Sequence, residues 1–85
     1  MDLDDQNLSG LNLRNADLRR AHLNGAVLRN ADLRGAKLAK ARLRQADLRG
    51  ADLREADLTE ADLRRAKHKG ANFKKAVMTD VRGLE

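Results

Sequence analysis

Leucine stands at every fifth residue from Leu3 to Leu63, thirteen times without a slip, and the lane runs on as His68, Phe73 and Met78. A second lane two residues ahead holds alanine at every fifth position from Ala16 to Ala76. This period works against the structure that the composition favours. Alanine, leucine, arginine, glutamate and lysine are strong helix formers. Yet at about 100° per residue, a step of five moves a side chain about 140° around a helix. The leucines would spread over every side and leave no stripe to bury. The two lanes also alternate at spacings of two and three, which is not the heptad seam of a coiled coil.

Within one five-residue unit the pattern reads in, out, in, out, corner. Alanine and leucine share a face at a spacing of two, as a short extended segment requires. The fifth residue is glycine or asparagine in seven of sixteen units: Gly10, Asn15, Gly25, Asn30, Gly35, Gly50 and Gly70. These residues suit turns and tolerate positive φ. The other nine corners include Arg20, Lys40, Glu55 and Glu60. The expectation is therefore that not every corner demands positive φ. A chain that turns after each short segment winds into a coil, and stacked coils bury the two lanes.

The units Ala-Asp-Leu-Arg-Gly (31–35), Ala-Asp-Leu-Thr-Glu (56–60) and Ala-Asn-Phe-Lys-Lys (71–75) resemble the pentapeptide-repeat family over residues 1–80. The resemblance implies an all-β fold, a right-handed quadrilateral β-helix of about four coils with four units each. It places Leu, Phe or Met inside and the small alanine at the inner corner. Departures are few. Met1, Gln6 and Leu11 replace the small residue in the first three units. His22, Val27, Lys37, Arg42, Lys67 and Val77 replace the usual Asp or Asn, and His68 takes a leucine slot. Residues 81–85 read as a short C-terminal tail, and the closing Leu-Glu looks vector-derived. At roughly 1.5–3 kcal/mol for each buried leucine, one continuous interior column can hold a small domain without disulfides.

The chain has no cysteine, so thiolate metal sites, cysteine nucleophiles and disulfides are excluded. It shows no secretion signal and no membrane span, and the expected compartment is the cytoplasm. Ser9 is the only serine and has no base beside it. His22 points outward by register, so it cannot converge with His68. The glycines fall at corners and form no phosphate-cradling loop. The chain is read as non-enzymatic, with no catalytic, cofactor or metal residues, and as a scaffold or protein-interaction module.

Residues twenty apart should stack about 4.8 Å apart, one coil above the next. The outward residues then form columns. One holds Arg14, Arg34, Arg54 and Lys74, flanked by Asn12, Asp32, Asp52 and Asn72; another holds Ser9, Arg29, Arg49 and Lys69. The plain reading is a solvated, salt-bridged wall. The alternative is a basic module that binds nucleic acid or another acidic partner. Nucleic acid is the weaker form of that alternative, because there is no exposed aromatic to stack on bases and no groove-reading helix. Some family members mimic DNA and bind gyrase. The net charge of +5 here argues against that role.

Solenoids expose their interior at uncapped ends. Asp2, Asp4 and Asp5 make the start acidic, while Arg64, Arg65, Lys67, Lys69, Lys74 and Lys75 make the last coil basic. Self-association through open coil ends is expected, with His68, Phe73 and Met78 as the candidate contact.

Overall fold

The computed structural model describes residues Met1–Leu84. Each five-residue unit forms one side of a square. The third residue's carbonyl accepts the amide N–H of the next unit's first residue, as in Ala36 N to Leu33 O at 3.0 Å and Ala51 N to Leu48 O at 3.0 Å. This bond closes a turn over the fourth and fifth residues. Four turns complete a coil: coil 1 spans 1–20, coil 2 spans 21–40, coil 3 spans 41–60 and coil 4 spans 61–80.

The coils stack in parallel. Every second-position residue from Asp2 to Asp62 bridges the residue twenty further on, from Asp2–His22 to Asp62–Arg82. Each side contributes three bonds between coils. In wall III, Leu33 N reaches Asp52 O at 2.8 Å, Gly35 N reaches Arg54 O at 3.0 Å, and Asp52 N reaches back to Ala31 O at 3.0 Å. The register of twenty defines four walls. Wall I carries units beginning at 1, 21, 41 and 61, wall II those at 6, 26, 46 and 66, wall III those at 11, 31, 51 and 71, and wall IV those at 16, 36, 56 and 76. The register runs on past coil 4, because Arg82 N bonds Ala61 O and Leu63 N bonds Arg82 O. Residues 81 and 82 therefore begin another side on wall I. Glu85, part of the expected vector-derived end, lies outside the described residues.

The leucine lane becomes four inward ladders rather than one column. Leu3, Leu23, Leu43 and Leu63 lie behind wall I, and the other walls repeat the arrangement. Leu23 to Leu63 are fully buried, and Ala21 to Ala61 are buried beside them. Leu3, Leu8 and Leu13 are partly buried, as are Phe73 and Met78.

The corners differ from the expectation. All sixteen fifth-position residues have positive φ, from Asp80 at 56° to Gly70 at 77°. Arg20, Lys40, Glu55 and Glu60 adopt it along with the glycines. Positive φ at the third residue of a turn is what a type II turn requires, and the repeating turn imposes it whatever the side chain. The left-handed conformation costs a non-glycine residue about 1–2 kcal/mol. That is less than the roughly 1.5–3 kcal/mol of the leucine that each corner sends inward, so the corner yields. Some corners are matched across coils. A Cβ on Gly50 would run into Asn30 Oδ1 of the coil below, and one on Gly35 would meet Asn15 Oδ1.

Leu33→Ala removes a fully enclosed side chain and should destabilise by about 2–5 kcal/mol. Leu13→Ala, in a half-covered coil, should cost distinctly less; thermal melts of both check the ordering. Lys40→Gly relieves the left-handed strain at an exposed corner and should stabilise by about 0.5–1 kcal/mol after glycine's larger chain entropy is subtracted. Gly50→Ala should destabilise by about 1–2 kcal/mol, again read from the melting temperature.

Candidate functional site: the charged walls

The aspartate or asparagine at the second position has a local task. Its Oδ1 accepts the backbone amide two residues on, an Asx turn. Examples are Arg14 N to Asn12 at 3.2 Å, Arg49 N to Asp47 at 3.2 Å and Lys74 N to Asn72 at 3.0 Å. The side chain thus holds the fourth residue in place as the chain enters the corner. On wall I the second position is His22 and then Arg42, neither of which supplies that acceptor. The coil below supplies it instead. Asn24 N donates to Asp4 Oδ1 at 2.8 Å, and Arg44 N donates to Asn24 Oδ1 at 3.0 Å.

Arginine at the fourth position closes back on the same aspartate. Arg49 donates to Asp47 through Nε at 2.8 Å and through Nη2 at 2.7 Å. Arg19, Arg34, Arg54 and Arg64 make the same fork with Asp17, Asp32, Asp52 and Asp62. Two-pronged pairs of this kind are stronger than single contacts. The arginine one coil lower then reaches the same carboxylate from beneath. Arg14 Nε lies 2.6 Å from Asp32, Arg29 Nε 2.6 Å from Asp47, and Arg44 Nε 2.7 Å from Asp62. Asp32, Asp47 and Asp62 each sit between two guanidinium groups. The stacked cations that would repel across one rung are separated by carboxylates.

Register does bring the predicted basic columns together. Arg14, Arg34 and Arg54 are all engaged by Asp32 or Asp52, and Arg29 and Arg49 by Asp47. Lys69 and Lys74, at the tops of those columns, make no ion pair among the described residues. Of the candidate end contact, His68 and Phe73 meet in coil 4, while Met78, like Phe73, packs against the core. His68 is exposed, Phe73 and Met78 are half-buried, and the two rings meet edge to face at 6.2 Å and 74°.

His22 faces outward, and the same register sets it above Asp2 and beside Asp4, with ligand-type atoms within 4.8 Å of one another. Both carboxylates already accept a backbone amide. A wall groove in coils 2 to 4 is lined by Lys40, Arg42, Arg44, Glu60 and Asp62, among others. Its charges are mixed and partly paired across it.

Four of the wall carboxylates, Asp17, Asp52, Asp57 and Asp62, are held as anions. The Arg64 guanidinium, against the opposing cost of burial, keeps Asp62 well below the usual carboxylate range, and Arg44 adds to the effect. Asp17 and Asp52 are lowered chiefly by Arg19 and Arg54, and Asp57 by the Thr59 hydroxyl and then the Thr59 amide. Arg19, Arg54 and Arg64 are raised in return by those hydrogen bonds. A carboxylate whose pKa is lower in the folded chain contributes stability above its unfolded value, about 3.9. That contribution disappears as pH falls further. The melting temperature should be level from pH 7 to about 5 and drop below about pH 4. Asp62→Asn should lose about 1 kcal/mol at pH 7 and show a shallower acid limb; equal acid limbs in both proteins would remove Asp62 from this account.

No helix among the described residues is long and apolar enough to cross a membrane. Comparison with curated proteins finds no match. The sequence profile of pentapeptide repeats matches in eight copies, over residues 2–35, 26–65 and 56–82. The solved structure of HetL from Nostoc sp. strain PCC 7120, a pentapeptide repeat protein involved in heterocyst differentiation regulation, is 30% identical over 99% of this chain and 45% of its own, with a TM-score of 0.72. Alr5209, a pentapeptide repeat protein from Nostoc PCC 7120, is 42% identical over 88% of this chain and 62% of its own, with a TM-score of 0.68. The chain thus spans less than two thirds of either relative. The profile match and these structural likenesses show that the chain belongs to the pentapeptide-repeat family, with that family's right-handed quadrilateral β-helix as its fold.

Proposed function

We propose that this β-helix is a non-enzymatic scaffold whose rigid walls dock a protein partner. The observation that carries this reading is the use made of the wall aspartates. Asp17, Asp32, Asp47, Asp52, Asp57 and Asp62 cap turns, and all but Asp57 also bind arginine. Asp17, Asp52, Asp57 and Asp62 are pushed away from neutral pH, the range where a general acid or base works best. Side chains committed to holding the wall suit recognition by shape and charge.

The test is site-specific crosslinking in the native host, with a photoreactive residue replacing one exposed side chain on each wall: Arg42, Lys69, Asn72 or Lys37. A scaffold with a docking wall should give one discrete partner from one wall or two adjacent walls. Diffuse adducts of equal yield from all four positions, or none from any, would contradict the proposal.

A further inference from the structure

The basic character of this chain is unevenly used. Eight arginines, all at the fourth position, are bound to aspartate: Arg14, Arg19, Arg29, Arg34, Arg44, Arg49, Arg54 and Arg64. Of the ten cations outside that network, five lie close together in coil 4, Arg65, Lys67, Lys69, Lys74 and Lys75, where no acid occurs between residues 63 and 79. Lys67 and Lys69 lie on wall II, Lys74 lies on wall III, and Lys75 lies at the corner beyond it. All four are exposed, and none makes an ion pair among the described residues. The acids one rung below are mostly spoken for. Asp47, under Lys67, holds Arg29 and Arg49, and Asp52, under Asn72, holds Arg54. Glu55 stands in the corner column below Lys75 and comes no closer than the ion-pair distance.

We infer that this lysine collar on walls II and III of coil 4 binds an acidic, extended protein segment rich in Asp and Glu. The proposal rests on the docking reading and names the place and the partner class. Two features favour a peptide over nucleic acid. First, the four lysines turn a square corner on a body only 26 × 24 × 20 Å across. A rigid duplex lying along one wall meets only part of the set, whereas a flexible chain can follow the corner. Second, the one aromatic nearby, Phe73, is half-buried in the interior lane against His68. It is not set out as a stacking platform for bases. Lysine ammonium groups on flexible stems adapt to carboxylates without the fixed fork of arginine.

The experiment compares two variants that each remove four positive charges. One is K67Q/K69Q/K74Q/K75Q. The other, R20Q/K37Q/K40Q/R42Q, removes four exposed cations that also lie outside the ion-pair network, on walls I and IV. Circular dichroism and melting establish that both are folded. The probes are a fluorescent deca-glutamate peptide and a short DNA duplex, at low and moderate salt. The collar variant should lose at least tenfold in peptide affinity while the control stays within about threefold of the parent. Equal losses in the two variants would mean that net charge alone attracts the peptide, and would overturn the proposal. No peptide binding by the parent at low salt, or tighter binding of the duplex than of the peptide, would also overturn it. A partner crosslinked only through Lys37 or Arg42 would leave the docking reading standing and remove the collar.

Discussion

The structure depends on one repeated constraint, a turn closed by the third residue's carbonyl and forced through a left-handed corner at the fifth. That turn converts each unit into one side of a square. Four such sides bring residue i beneath residue i + 20, and the backbone ladder follows along every wall. The leucine that enters each turn is thereby aimed at the axis. Interior packing and corner strain oppose each other within every unit. Packing prevails because a buried leucine is worth more than a left-handed residue costs. This is why a corner can be lysine, glutamate or arginine without disturbing the coil.

The outer walls show a second economy. The aspartates hold corners first and neutralise arginines second. Because the arginine of the coil below also reaches Asp32, Asp47 and Asp62, these carboxylates tie neighbouring coils together. Individual surface pairs of this kind contribute little. Here they recur at a fixed spacing and join coils that the backbone ladder already aligns. Charge on walls II and III becomes available for outside contact where the aspartates stop, in coil 4.

Much of the fold was legible in the chain. The leucine and alanine lanes marked the interior, and the twenty-residue register placed Arg14, Arg34 and Arg54 in one column. The left-handed corners were not legible at Arg20, Lys40 and Glu60. Those side chains point to solvent and are free to vary, so nothing in their chemistry records the backbone beneath them. The exchange of capping groups on wall I was hidden for another reason. Asp4 and Asn24 cap the next coil only because His22 and Arg42 lack a suitable acceptor, a dependence that spans twenty residues. The meeting of His22 with Asp2 and Asp4 follows only from the rung length, which sets residue 22 above residue 2. The arginine–aspartate stacks could have been found as spacings of eighteen and twenty, as in Arg29, Asp47 and Arg49, once the rung length was in hand.

The most direct test of the square coil is solution NMR of the intact chain, reading backbone proton contacts between residues far apart in sequence. The account predicts contacts linking each unit to the one twenty residues away along all four walls, such as Leu33 with Asp52 and Leu38 with Asp57. A continuous run of contacts at four residues, the mark of helix, or a rung of any other length would contradict it.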